Sequence, residues 1–240
     1  MSKMIRLDKF LAEMGVGTRS EVKLYIKKGY VRVNENTVRT ADLRIDTDSD
    51  TVTFKDEIVG FVKTEYYMLN KPAGVVSATE DAKDRTVVDL ITDRKRKDIF
   101  PVGRLDKDTE GLLVLTNDGA LAHRLLSPKK HVSKVYYAKI SGIVDERDVE
   151  VFKKGVVIDE TFTAMPANLK ILISAEVSEI EVEIFEGKYH QVKRMFEAVG
   201  KKVIYLKRLS MGALKLDEKL TTGQYRPLTE EEIESLKNER

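Results

Sequence analysis

Hydrophobic positions along the chain fall into two regimes. Near the start, Ile5, Leu7, Phe10, Leu11 and Met14 recur at helical spacing and give way to Gly15 and Gly17, which predicts a short helix over 5–14. A second helix is expected from Thr18, whose hydroxyl can cap the run RSEVKLYIKKG, to Gly29. Tyr30, Val31 and Val33 then read as a strand entering a turn at Asn34, Glu35 and Asn36. Beyond Phe61 the pattern changes to short β-rich segments at 66–69, 112–116, 135–140, 177–185 and 203–206, punctuated by helical stretches at 119–126, 145–154 and 190–199. A last helix should start at Thr229, which stands at capping-box spacing from Glu232. The expected fold is α+β: a small helical and β domain over residues 1–60, then a mixed, mainly antiparallel sheet with flanking helices over 61–240.

Composition narrows the function. With 240 residues and 42% of them hydrophobic, the chain can bury a core. It contains no run of roughly 18 apolar residues and no short apolar segment behind a basic start, so neither a membrane span nor a secretory signal is expected, and the cytoplasm is the expected location. There is no cysteine, which excludes disulfides and thiolate chemistry, and His123, His131 and His190 lack ligand spacing. A zinc site is therefore not expected.

The net charge of +2 conceals an uneven distribution. Gly119 to Val144 contains bases and no acid, and Gly187 to Leu216 sets a single acid, Glu197, against many Lys and Arg. Residues 1–41 are also basic, and there Arg19, Lys23 and Lys27 are spaced to share one face of the second helix, with Arg6 upstream. Any one such cluster could be a solvated face; three of them, separated by acidic stretches, point to a nucleic-acid phosphate backbone.

Candidate chemistry concentrates in PVGRLDKDTEGLLVLTNDG at 101–119. Asp106, Asp108 and Glu110 invite comparison with a calcium loop, but that template needs Glu at its twelfth position, where this chain has Asn117. DKDT also suggests an Asp phosphotransfer site, yet such sites place the apolar strand before the Asp and here it follows. A magnesium-dependent phosphohydrolase and a non-catalytic RNA-binding protein are the rival readings.

Two resemblances extend this. IRLDKFLAEMGVGTRSEVKLYIKKGYVRVNE resembles the S-four RNA-binding domain, implying a module that holds structured RNA through Arg6, Arg19, Lys23 and Lys27. The 101–119 segment is similar to the central motif of pseudouridine synthases, GRLDxDTxGLLxLTNDG, in the branch acting on small-subunit ribosomal RNA and its large-subunit relatives. YYMLNKPAGVVSAT, HRLLSPKKHVSKVYYAKI and EGKYHQVKRMFEAVG agree with that family in order. The resemblance implies isomerisation of a ribosomal RNA uridine without a cofactor, with Asp106 as nucleophile and Tyr136 and Lys193 as further catalytic residues. It implies substrate contacts from Arg104, Lys134, His190, Gln191 and Arg194, and a partner that is ribosomal RNA or a pre-ribosomal particle. A monomer is expected, with no membrane and no obligate protein partner.

Strand alternation puts Lys134 and Tyr136 on one face and Tyr137 on the other. Helical spacing groups His190, Lys193, Arg194 and Glu197 opposite Val192, Met195, Phe196 and Val199.

Overall fold

A computed structural model describes residues 4–239. By internal contacts the chain forms two compact units: one takes the residues through Glu65 together with Thr92–Ile99, and the other takes Tyr66–Ile91 and the chain from Phe100 onward.

The first unit begins with strand β1 (Met4–Arg6), helix α1 (Leu7–Glu13) and helix α2 (Arg19–Lys27), followed by strands β2 (Val31–Val33), β3 (Asn36–Thr37), β4 (Arg44–Asp46), β5 (Val52–Phe54) and β6 (Glu57–Ile58). Helix α1 starts two residues later than its apolar spacing suggests, because Ile5 and Arg6 are extended and pair with Ile45 and Arg44 of β4. Thr18 caps α2 in a full capping box with Glu21. Leu7, Phe10 and Leu11 of α1 meet Val22 and Ile26 of α2 and Val31 and Val52 of the four-stranded sheet β3-β2-β5-β6. Segment 92–99 joins this unit through Arg96, only 4% exposed, which pairs with Glu13 at 2.9 Å and with Asp98. The Glu65 carboxylate accepts the backbone N–H groups of Lys95 and Arg96. The hydrophobic pattern held no hint of this return.

The second unit contains β7 (Tyr66–Lys71), β8 (Phe100–Pro101), β9 (Glu110–Thr116), α3 (Gly119–Leu126), β10 (Lys134–Ser141), α4 (Glu146–Lys154), β11 (Val157–Asp159), β12 (Phe162–Thr163), β13 (Asn168–Ile173), β14 (Val177–Ile184), α5 (Gln191–Ala198), β15 (Lys202–Met211), β16 (Leu214–Lys215), β17 (Tyr225–Pro227) and α6 (Glu230–Asn238). Its main sheet runs β13-β14-β10-β15-β9-β7-β17, with β8 beside β9 and β16 beside β15. All pairings are antiparallel except β15 with β9. The mixed, mainly antiparallel architecture is the one expected from sequence.

Strand β10 shows why the alternation was readable: Lys134, Tyr136, Ala138 and Ile140 are buried while Val135, Tyr137 and Lys139 are only partly covered. Helix α5 buries Val192, Met195 and Phe196, and Phe196 packs on Phe152 of α4 with ring centroids 4.9 Å apart. That anchoring fixes which side of α5 is left for chemistry.

Candidate active site

The loop between β8 and β9 carries Asp106, and its backbone is held from several directions. Ser77 donates its hydroxyl to the Leu105 carbonyl at 2.8 Å and accepts the Leu105 N–H at 3.1 Å. Lys71, at the end of β7 and fully buried, donates to the carbonyls of Pro72, Asp106, Lys107 and Thr109 at 2.8–3.3 Å. The Gly74 N–H reaches the Lys107 carbonyl at 2.7 Å, and the Thr109 N–H closes a turn onto that of Asp106. A loop whose carbonyls are taken up in this way presents its side chain in one place. Burial pulls the Lys71 pKa down to about 8, against the opposing pull of Asp108, Asp106 and Glu110.

Asp106 faces the N-terminal end of α5. Its Oδ2 lies 3.1 Å from Lys193 Nζ and its Oδ1 lies 3.5 Å from His190 Nε2. Lys193 also donates to Asp108 at 2.7 Å. Burial works against the Lys193 ammonium, but the bonds to Asp108 and Asp106 outweigh it and raise its pKa, while the same contact lowers that of Asp108. His190 precedes the helix as its N-cap in a left-handed conformation, φ 49°, and its ring stacks on exposed Tyr189 at 3.8 Å. It therefore reaches Asp106 from the loop, not from the helical face that its spacing suggested.

These residues open onto a cleft of about 600 Å³, whose lining includes Arg104, Asp106, Lys134, Tyr136, His190, Lys193 and Arg208. Asp106 is the sole acid among the residues lining it. Tyr136 is buried in the wall, and no described residue takes up its hydroxyl. Arg104 is exposed at the rim. Lys134 is buried and donates to the Val132 carbonyl; burial first, then the neighbouring Arg208, bring its pKa to about 8 against the pull of Glu186.

Two expected contacts are placed differently. Gln191 lines the cleft, but both ends of its amide are occupied: the oxygen accepts the Lys188 N–H and the nitrogen donates to Glu186. Its role is to tie down the loop before α5. Arg194 does not reach the cleft; one helical step past Lys193 turns it toward the β11–β12 hairpin, where it pairs with Asp159 and lies over the Phe162 ring. Lys71, Ser77 and Arg208 were not singled out from sequence. Arg208 was within reach, since continuing the alternation of 203–206 through β15 puts it on the same face as Leu206.

In the first unit, Arg19, Lys23 and Lys27 are all exposed along α2, as the spacing required, and Arg6 is half-exposed and paired with Asp8 at 2.9 Å. Among the described residues no cluster of His, Asp and Glu could hold a metal ion, and no helix is long and apolar enough to cross a membrane.

A single carboxylate set among cations in a cleft wide enough for a nucleotide, with a buried aromatic ring in its wall, is an arrangement for covalent or acid–base chemistry on a nucleic-acid base. Comparison with known proteins identifies the class. Residues 65–198 match the family of RNA pseudouridylate synthases, and residues 5–57 match the S4 domain. The chain is 48% identical to an uncharacterized RNA pseudouridine synthase, YtzG, of Bacillus subtilis, over 97% of this chain and 98% of that protein. It is 39% identical to the ribosomal small subunit pseudouridine synthase A of Haemophilus influenzae, over 97% and 99% of the two chains. A crystal structure of a pseudouridylate synthase aligns with a TM-score of 0.68 at 38% identity, covering 97% of this chain and 99% of that one. The chain therefore belongs to the RNA pseudouridylate synthase family, with an S4 RNA-binding domain ahead of the synthase domain.

Proposed function

We propose that this protein converts one uridine of small-subunit ribosomal RNA to pseudouridine, with Asp106 as the nucleophile. The observation that carries the catalytic assignment is that Asp106 is the sole acid lining a cleft otherwise rich in cations, on a loop whose backbone is held by Lys71 and Ser77. The reaction breaks the bond from uracil N1 to the sugar, turns the base and rejoins it through C5, with no change of oxidation state. The Asp106 carboxylate attacks the sugar C1′ or the base C6, or assists loss of the C2′ proton, and Lys193 is its counter-ion throughout. Tyr136, buried in the cleft wall, stacks on the detached uracil, and its hydroxyl serves in proton transfer at C5. Arg104, on the rim, holds the phosphate of the extruded nucleotide. The basic face of α2 contributes sequence-independent affinity. The protein acts as a monomer, with the RNA supplying its large interface, and needs no cofactor.

The small-subunit target is supported by the relatives that carry that name at 36–39% identity over nearly the whole chain. A second reading, large-subunit RNA, is favoured by the 40% identity to the ribosomal large subunit pseudouridine synthase B of Bacillus subtilis. One experiment decides: incubate the protein with unmodified small- and large-subunit transcripts and map pseudouridine by carbodiimide labelling and primer extension. The expected result is one new stop in the small-subunit RNA, absent with Asp106→Asn although that variant still binds RNA. A stop in the large-subunit RNA instead would establish the second reading, and activity retained by Asp106→Asn would sink the nucleophile assignment.

A further inference from the structure

We propose that Lys134 and Arg208 form a paired cation site that stabilises negative charge on the carbonyl oxygens of the target uracil during the isomerisation. This rests on the uridine chemistry proposed above and adds a role for a residue, Arg208, that the motifs do not single out.

The pairing follows from sheet register. Arg208 of β15 lies directly opposite Tyr136 of β10, and Lys134, two residues before Tyr136, lies opposite Ile184 of β14. Residues opposite one another, or two apart on a strand, share a face, so Lys134, Tyr136, Ile184 and Arg208 form one patch of the cleft wall. This patch is deeper than the Asp106 wall: Arg208 is 2% and Lys134 7% exposed, whereas the side chains of Asp106 and His190 are 26% and 36% exposed.

Neither cation is satisfied by the fold. Arg208 donates its Nε–H to the Leu112 carbonyl at 2.8 Å, which fixes the guanidinium, but its Nη2 is fully enclosed without a hydrogen-bond partner. No described acid forms an ion pair with it. Lys134 has three N–H groups and one acceptor, the Val132 carbonyl. The acid that acts on Lys134, Glu186, already accepts at Oε1 from the Met165 N–H and the Gln191 amide. Burying two cations side by side with so little compensation costs stability, and such an arrangement marks a functional site more often than a structural one.

The neighbours define what answers these charges. Ile184, Leu206 and the Tyr136 ring make the adjoining wall apolar, which suits a planar base presenting carbonyl edges better than a hydrated phosphate. The chemistry supplies the charge on either route. If the bond from N1 to C1′ breaks first, its electron pair stays on N1 and delocalises onto O2 and O4. The base turns, C5 forms the new bond to C1′, and the C5 proton is then lost. If a carboxylate adds to C6 first, the electrons of the C5–C6 double bond move toward O4. Donors already fixed where charge develops stabilise the transition state more than the ground state.

The test uses the full chain and a short RNA synthesised around the mapped uridine, carrying either uridine or 5-fluorouridine there. Fluorine withdraws electrons and stabilises the base anion by itself, so the reaction depends less on the protein's cations. Single-turnover loss of the N-linked nucleoside is followed by nuclease digestion and chromatography. Arg208→Met is expected to slow the uridine reaction by roughly 10²–10³-fold, the range for loss of one such donor, and to slow the 5-fluorouridine reaction by a markedly smaller factor. Lys134→Met should behave in the same direction, and it carries the comparison alone if Arg208→Met does not fold. Equal slowing on both RNAs, or a defect confined to RNA affinity as a phosphate clamp would give, overturns the proposal. Asp106→Asn is run beside them and must be inactive on both RNAs; its activity would fault the nucleophile assignment and not the cation pair.

Discussion

Lys71 shows how much one side chain can organise. Its ammonium bridges four carbonyls, three of them on the loop that presents Asp106, and burial has brought its pKa to about 8. Lys71→Met keeps the length and removes every donor, so it should cost about 1–3 kcal/mol of stability, the range for leaving a buried polar group unpaired, and lower kcat. The pH dependence has a defined sign. An unfolded lysine titrates near 10.5, so between about pH 8 and 10.5 the unfolded state holds more protons and folding becomes more favourable as pH rises. Below that window the burial penalty is at full size. The stability gap between the protein and Lys71→Met should therefore widen from about pH 7.5 to about pH 10 in urea unfolding, and a constant gap would contradict a depressed Lys71 pKa. Little of this was legible in sequence. Asp106, Tyr136 and Lys193 stand in motifs, whereas Lys71 matters through carbonyls up to 38 residues away, which no local spacing reports.

At the scale of elements, the parallel pairing of β9 with β15 joins the strand that follows the Asp106 loop to the strand bearing Arg208. It rests on Gly111, whose partner across the ladder is Arg208 itself. A Cβ at Gly111 would stand 2.3 Å from the Arg208 carbonyl oxygen and 2.7 Å from its nitrogen, and φ there is +101°. Gly111→Ala should consequently cost about 3 kcal/mol or more, through both strain and a forced separation of strands. A thermal melt within about two degrees of the unaltered protein would refute that account. Elements with clean periodicity, such as β10, α3 and α5, were readable because one face is buried and the other is not. Strand β13 was not, since only Leu169 along it is buried, and β17 is three residues containing a proline. Helix α5 was found, but its spacing could not tell that His190 leaves the helix or that the β11–β12 hairpin takes Arg194.

For the whole molecule, the proposed nucleophile Asp106 and the basic face of α2 belong to separate units, so on the proposed function their contributions should separate in kinetics. Reversing Lys23 and Lys27 to Glu is expected to raise KM and to flatten the dependence of log affinity on log salt by roughly 1.5, at about 0.7–0.9 for each phosphate no longer neutralised, with the defect falling on KM and not on kcat. An unchanged salt slope would remove α2 from the RNA-binding surface. The change in periodicity near Phe61 falls close to Glu65, where the continuous part of the first unit ends. The return of Thr92–Ile99 to the first unit is not legible in the sequence, because DRKRKD carries no apolar residue to show a packing side and its partners, Glu13 and Glu65, lie upstream. That return bears on how the protein is made. Synthesis proceeds from the N-terminus, and a ribosome paused after Glu65 would hold a module in which Glu13 and Glu65 lack the Arg96 segment they grip. The first unit thus cannot finish folding on its opening stretch alone: it waits for residue 99, by which time the strand β7 of the second unit has already been produced.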